Sequence, residues 1–207
     1  MSIDYENIFK DNNLKKYSEG YHNFYSTVLS DKNINSILHI GFNDPLSLKL
    51  WRGVWPNAKI DGIFQEELPL YYNENFKIFS HNPINAVNAK IIKNNYDLII
   101  DDGNLLWKDK IRTIYNYFNK ANKFYIIENI MGEYALKKIF NGCPDLYLTD
   151  HFIFNTNKPA SFSFRENDVR IEEKNSSYKV LFINAESSNY AKRAIISDSF
   201  KESMIYD

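Results

Sequence analysis

Short apolar runs alternate along the chain with longer segments in which apolar residues recur at helical spacing. The two most apolar runs are Tyr96–Asp102 and Lys123–Asn129, and both end in acidic or amide residues. Runs that are apolar at successive positions are typical of strands covered on both faces. Strands that alternate with amphipathic helices indicate βα units around a mostly parallel sheet. The pattern therefore predicts an α/β domain with these two runs as central strands.

The remaining elements follow from the same pattern. Further strands are predicted at Ile34–Gly41, Ala58–Phe64 and Phe76–Ser80. Helices are predicted at Tyr5–Leu29 with a break near Gly20, Leu46–Val54, Ile84–Lys93, Trp107–Asn119, Gly132–Phe140 and Ser188–Met204. Near the end, Leu146–Phe154 and Tyr178–Asn184 predict an antiparallel hairpin at a sheet edge, with a long polar connection. We expect a helical lead-in over residues 1–30 and one α/β domain over residues 31–207.

Composition narrows the class of protein and the kind of partner. The 207 residues suit one domain, and 25 basic against 26 acidic residues give a net charge of −1. No long basic stripe is present, which argues against nucleic acid as a partner. The single cysteine, Cys143, excludes an internal disulfide and favours a reducing compartment. A polar N-terminus and the lack of an apolar run of about 18 residues argue against a signal peptide and a membrane span. We expect a cytoplasmic protein, and a homo-oligomer remains open.

Polar residues concentrate where ligands bind in parallel α/β sheets, which is beyond the carboxyl ends of the strands. Gly41 follows the first strand and would allow a ligand to approach the backbone closely. A tight turn without a ligand explains this glycine equally well.

Three further residues suggest a cation site at the same edge. Asp102 and Glu128 end the two central strands, and Asn129 follows. If those strands are neighbours, about 4.8 Å apart, the side chains converge. Oxygen ligands on one side, with water completing an octahedron, are typical of Mg²⁺. The alternative is that these carboxylates cap helices or are solvated.

Several stretches together resemble a known family. They are KKYSEGYHNFYSTVL, SILHIGFNDPLSLKLWRGVWPNAKIDGIF, YDLIIDDGNLLWKDKIRTIYNYF and FYIIENI. They are similar to class I S-adenosylmethionine-dependent methyltransferases, and more narrowly to the macrocin O-methyltransferase and cephalosporin hydroxylase-like group, over roughly Asn13 to Glu128. The resemblance implies a Rossmann-like, mostly parallel seven-stranded sheet in the order 3-2-1-4-5-7-6, with helices on both faces. It also implies S-adenosylmethionine, a Mg²⁺ ion, and methyl transfer to a small-molecule hydroxyl, often that of a sugar.

On the acceptor side, the resemblance assigns metal ligation to Asp102 and Glu128, with Asn129 where the family has a third, aspartate, ligand. Leu105 stands where the family has a histidine that acts as the general base. Leucine cannot carry a proton, so His22 and Asp109 are the candidate catalytic bases.

The donor side departs further from the family pattern. The implied donor-binding set is His39, Gly41, Asn43, Phe64, Asn82 and Asp101. His39 replaces an acidic residue, and Phe64 stands where a carboxylate binds the ribose hydroxyls. Losing that contact costs about 1.5–3 kcal/mol if it is charge-assisted.

Three functions are compatible with these residues. The first is an O-methyltransferase with an altered site. The second is a catalytically inactive methyltransferase-like protein that serves as a binding or assembly module. The third is a pocket for another ligand such as a nucleotide or sugar nucleotide, with Phe64 stacked on a base.

Overall fold

The sheet contains seven strands in the residues that the computed structural model describes, which are 3–41, 46–64, 76–166 and 169–186. The strands are β1 (Ser36–Ile40), β2 (Lys59–Phe64), β3 (Phe76–Ser80), β4 (Tyr96–Asp101), β5 (Ala121–Met131), β6 (His151–Glu166) and β7 (Val169–Asn184). Their order is β3-β2-β1-β4-β5-β7-β6. The first five strands are parallel, and β7 is antiparallel to both β5 and β6.

Helices precede the first strand and follow β1, β3, β4 and β5. They are α1 (Tyr5–Asn12), α2 (Leu14–Ser18), α3 (Tyr21–Leu29), α4 (Leu46–Val54), α5 (Ala86–Ala89), α6 (Trp107–Tyr117) and α7 (Gly132–Gly142). Short 3₁₀ turns lie at Phe118–Lys120 and Pro144–Leu148. No helix in the described ranges is long and apolar enough to span a membrane.

Two apolar layers cover the two faces of the sheet. Every residue of β4 is buried, because side chains on both of its faces are covered. One layer joins the sheet to α6 and α7 through residues such as Ile114 and Ile139. The other joins it to α1, α3 and α4 through Phe9, Tyr25 and Trp51. The N-terminal helices therefore share a core with the sheet.

The structure confirms the predicted α/β class and the strand order 3-2-1-4-5-7-6. The lead-in is interrupted at Asn13 as well as near Gly20, because the Asn13 side chain caps a new helix. The helix predicted at Ile84–Lys93 shortens to Ala86–Ala89.

The terminal hairpin also differs from its predicted bounds. Its first strand starts at His151 rather than Leu146, because Pro144 begins a 3₁₀ turn that ends at Leu148. Its two strands are 16 residues each, so the predicted polar connection is itself mostly strand. The helix predicted at Ser188–Met204 lies outside the described residues.

Candidate active site

The carboxyl ends of β4 and β5 bring two acidic residues side by side. The strands are parallel, with Asp101 opposite Ile127, so Asp102 and Glu128 come next in register. Successive strand residues point to opposite faces of a sheet. Asp101 contacts α6, whereas Asp102 and Glu128 lie on the side of the N-terminal helices. The predicted convergence of the two acids is therefore present.

A β-bulge adds Asn129 to the same cluster. Between Ile127 and Ile130 the register of β5 against β7 shifts by one residue, and Asn129 has a φ of 57°. Asparagine adopts this left-handed conformation more readily than most residues. A bulge re-aims side chains that simple alternation would send to opposite faces. The Asn129 amide consequently donates a hydrogen bond to Asp102.

Lys16 of α2 lies between the two carboxylates. Its ammonium is 3.1 Å from Asp102 Oδ2 and donates a hydrogen bond to Glu128 Oε2. The Lys16 side chain is 8% exposed, and that of Glu128 is fully buried. A buried charge requires a partner, because removal from water costs several kcal/mol. The three groups therefore form one buried ionic cluster.

Every oxygen of the two carboxylates accepts from a group of the chain itself. Asp102 Oδ1 accepts from Asn129, and Asp102 Oδ2 contacts Lys16. Glu128 Oε2 accepts from Lys16, and Glu128 Oε1 accepts from the Tyr25 hydroxyl at 2.7 Å. The cluster is thus polar, buried and internally satisfied.

The pKa values of the two carboxyl groups shift in opposite directions. Burial raises the pKa of Glu128 to about 7, in spite of the Lys16 ammonium and with the Asp102 charge adding to the rise. Burial also disfavours the ionised form of Asp102, but Lys16 and the His39 N–H outweigh it and lower the Asp102 pKa. Asp102 and Glu128 in turn outweigh burial at Lys16 and raise its pKa. Lys16 is therefore an ammonium at neutral pH.

His39 lies beneath the cluster on β1 and is fully buried. Its Nδ1 accepts a hydrogen bond of 3.1 Å from Trp51 Nε1, and its Nε2 is 3.6 Å from Asp102 Oδ2. An accepting Nδ1 places the proton of the neutral ring on Nε2. Burial lowers the pKa of His39, which favours this neutral form. In the described structure His39 supports Asp102 and Trp51.

Gly41 follows β1 with a φ of 76° and lies against the loop after β4. A Cβ at Gly41 would stand 2.1 Å from the Gly103 Cα, so only glycine fits. In the structure it is the Gly103 backbone of the chain itself that approaches the Gly41 turn closely.

Asp101 forms an ion pair on the other face of the sheet. Lys110 Nζ donates to Asp101 Oδ1 at 3.0 Å and to the Asp101 carbonyl at 3.1 Å. Both side chains are buried, and the contact joins α6 to β4. The Asp101 side chain therefore holds α6 against the end of β4 through its ion pair with Lys110.

The remaining predicted residues contact groups outside this cluster or lie outside the described chain. His22 stacks on Tyr17 with ring centroids 4.6 Å apart. Asp109 lies in the first turn of α6, where its carboxylate accepts from Asn104 and contacts Arg112. Leu105 is 45% exposed.

On the donor side, Phe64 ends β2 and packs against the apolar layer that contains Trp51. The Asn82 amide oxygen accepts from the Ile84 N–H at 3.1 Å, which makes a local turn. Asn43 lies outside the described residues.

Sequence reasoning missed Lys16, Tyr21 and Trp51 as members of the site. The Tyr21 hydroxyl donates to the Asn129 amide oxygen at 3.2 Å, and its ring lies 5.1 Å from the Lys16 ammonium. Nothing in the local sequence distinguishes Lys16 from its exposed neighbour Lys15. Tyr21 lay within the lead-in stretch that carries the family resemblance, which was the available signal.

Comparison with solved structures identifies the fold. MycE methyltransferase from the mycinamycin biosynthetic pathway, in complex with Mg and SAH, matches with a TM-score of 0.60 and 15% identity over 88% of this chain and 54% of that one. A caffeoyl-CoA O-methyltransferase-type protein from Staphylococcus aureus matches with a TM-score of 0.52 and 14% identity over 78% of this chain and 81% of that one. An O-methyltransferase-type protein from Klebsiella pneumoniae matches with a TM-score of 0.54 and 6% identity over 87% and 89%.

MycE is a methyltransferase and the two bacterial neighbours are of O-methyltransferase type, and this chain has the fold of class I methyltransferases. The chain spans about half the length of the MycE chain that it matches. No protein-family model and no curated protein matches the sequence.

The donor set does not fit the divalent cation that the fold family implies. Mg²⁺ needs several oxygen ligands around one point. Here the Lys16 ammonium lies between the Asp102 and Glu128 oxygens, and Asn129 turns its nitrogen toward Asp102. Within the described residues, no group of three or more His, Cys, Asp or Glu side chains could hold a metal ion.

Proposed function

We propose that this protein is an S-adenosylmethionine-dependent O-methyltransferase that acts on a small-molecule hydroxyl, with a sugar hydroxyl as the first candidate, and needs no divalent metal. The observation that carries the proposal is the cation held by two strand-end carboxylates, Asp102 and Glu128, beside the Gly41 turn. The cation is the Lys16 ammonium. An electrostatic centre is thus kept at the carboxyl end of the sheet, where ligands bind in such folds.

The acceptor class is suggested by a structural neighbour. MycE has been crystallised with Mg, SAH and mycinamycin VI, at 18% identity over 60% of this chain and 36% of that one. That complex concerns MycE. That this chain also acts on a small-molecule acceptor is inferred from the shared fold and is part of the proposal.

Lys16 has the capacity to position an acceptor oxygen. An ammonium carries three N–H donors. Two contact Asp102 and Glu128, and among the described residues the third has only the faces of Tyr21 and Trp51 within reach. We propose that this N–H orients the acceptor hydroxyl. Holding the reactants in line supplies much of the rate of such a transfer.

The reaction needs a proton acceptor besides this positioning. The acceptor oxygen forms a bond to the donor methyl carbon, and the carbon–sulfur bond breaks with its electron pair moving to sulfur. The hydroxyl proton goes to Asp109 in this proposal, because Asp109 follows the loop from Asp102 and keeps a partly exposed side chain. His22 is the second choice for this role.

A catalytically inactive binding or assembly module is the second candidate function. Two observations favour it. Leu105 stands at the position of the expected base, and the oxygens of Asp102 and Glu128 are all engaged by the chain's own donors. Because these oxygens are already engaged, the site can bind an acceptor only if the side chain of Lys16 or Asp102 turns toward it.

Calorimetric titration with S-adenosylmethionine and S-adenosylhomocysteine, in EDTA and in MgCl₂, tests donor binding. A panel of sugars and phenols with methyl-labelled donor tests transfer. We expect saturable binding and labelled product that EDTA does not reduce. Donor binding without methylated product from any acceptor supports the inactive module, and no binding at millimolar donor contradicts the proposed function.

Asp109→Asn tests the proposed proton acceptor. This variant should lower transfer at least about tenfold with donor affinity unchanged, and Asp145→Asn serves as the distant acidic control.

A further inference from the structure

The ammonium of Lys16 stands where a metal would have to bind if Asp102 and Glu128 were its ligands. It contacts both carboxylates, one of them at 3.1 Å, and only 8% of its side chain is exposed. A lysine so buried is held in place by its partners. The space between the two strand ends is therefore filled by a cation that belongs to the chain.

Neutral donors complete the surroundings of the two carboxylates. Tyr25 donates to Glu128, and Asn129 donates to Asp102. A divalent ion would bring two positive charges to the oxygens, whereas Lys16 brings one. The additional N–H and O–H donors supply the rest of the stabilisation that buried carboxylates require.

Local structure fixes Lys16 in this position. The Asn13 side chain accepts from the Lys16 backbone N–H at 3.0 Å and starts α2 there. The adjacent Lys15 is exposed, because a helical residue one position away points to a different side. The ion pair thus ties the N-terminal helices to the ends of β4 and β5.

We propose that Lys16 is a built-in substitute for a divalent cation and that Asp102 and Glu128 form a latent metal site, which becomes available when the Lys16 side chain is removed. The proposal concerns cation binding and is independent of methyl transfer. Its test is carried out with no methyl donor or acceptor present, so its failure is distinct from failure of the proposed function.

The test measures Mn²⁺ binding by calorimetry and by electron paramagnetic resonance. We expect no saturable Mn²⁺ binding to the wild-type protein or to Lys15→Ala at millimolar metal. Lys16→Ala removes the ammonium and opens space for an ion with its water ligands, so its affinity for Mn²⁺ should rise at least about tenfold. Adding Asp102→Asn to Lys16→Ala should abolish that gain, since one ligand charge is lost.

Thermal unfolding gives a second readout. In EDTA, Lys16→Ala should melt below wild type because two buried carboxylates lose their cation. Mn²⁺ should raise the melting temperature of Lys16→Ala and leave wild type and Lys15→Ala unchanged. If Lys16→Ala folds only when refolded with Mn²⁺, that result also supports the proposal.

Two results would overturn the inference. One is a folded Lys16→Ala protein that binds no Mn²⁺. The other is tight Mn²⁺ binding by the wild-type protein that Asp102→Asn removes, which needs no Lys16 variant to observe. In that case Mn²⁺ displaces the Lys16 ammonium from the two carboxylates, and the ammonium is not a substitute for the metal.

Discussion

The Gly41 backbone lies directly against Gly103, so that a Cβ on Gly41 would stand 2.1 Å from the Gly103 Cα. This contact joins the turn after β1 to the loop after β4, and both loops border the Asp102 cluster.

Gly41→Ala should therefore destabilise the protein by about 2–4 kcal/mol, since a left-handed residue gains a Cβ and the two loops must separate. Urea unfolding measures the change. Gly53→Ala is the matched control, because Gly53 lies in α4 and a Cβ there meets only side-chain atoms, the Ile8 methyl at 3.0 Å and the Asn12 amide nitrogen at 3.7 Å. We expect a change within about 1 kcal/mol for this control. Equal losses in the two variants would contradict the proposed contact.

Lys110→Met should cost about 3–5 kcal/mol of stability, because it leaves Asp101 buried without its cation. Chemical denaturation of the purified variant checks the value. Lys108→Met on the exposed side of α6 should change stability by less than about 0.5 kcal/mol. The double variant Asp101→Asn, Lys110→Met should recover part of the loss, and a further loss would be evidence against the pair.

Tyr25→Phe removes the hydroxyl that donates to the buried Glu128 carboxylate at 2.7 Å. We expect a loss of about 1.5–3 kcal/mol, typical for a buried charged group left without a donor. The control is Tyr147→Phe, since Tyr147 is largely exposed. An unchanged unfolding midpoint for Tyr25→Phe would mean that Glu128 is satisfied in another way.

His39 should make the protein less stable in acid. Burial lowers its pKa in the folded state, whereas the unfolded chain keeps a pKa near 6.5. The unfolded state therefore binds more protons below pH 6.5, and stability falls as pH falls. We expect this residue to contribute about 1 kcal/mol of loss between pH 7.5 and 5.5.

His39→Asn keeps an acceptor for Trp51 and removes the titrating ring. It should be less stable than wild type at pH 7.5, and the difference should narrow at pH 5.5. Denaturant curves at the two pH values provide the comparison. Glu128, whose pKa is raised, contributes with the opposite sign in both proteins. A difference that does not change with pH would show that His39 is not a source of acid sensitivity.

The thiol of Cys143 should be unreactive in the folded protein. It is buried, and burial raises its pKa to about 12, so almost no thiolate exists at pH 8. A disulfide reagent should label it only as fast as the protein unfolds. In urea one thiol per chain should react within minutes, because Cys143 is the only cysteine. Rapid labelling of the native protein would argue against this packing.

Local sequence determined the strands and the chemistry at their ends. β4 and β5 are visible as apolar runs because both faces of a central strand are covered, and the acids at their ends stand out against that background. The resemblance supplied the strand order, which the structure confirms. The positions of Asp102 and Glu128 at the strand ends had already suggested them as a pair, and the resemblance assigned them as metal ligands.

Only the tertiary structure decided what holds that pair. Lys16 and Glu128 are 112 positions apart, and helical spacing gives no reason to choose Lys16 over Lys15. The choice depends on how α2 packs on the sheet, which local propensities do not encode. The bulge at Asn129 likewise arises from pairing with β7 rather than from local sequence alone. Contacts between distant segments therefore set the charge at the site, whereas the residue types at the strand ends set only where such a site lies.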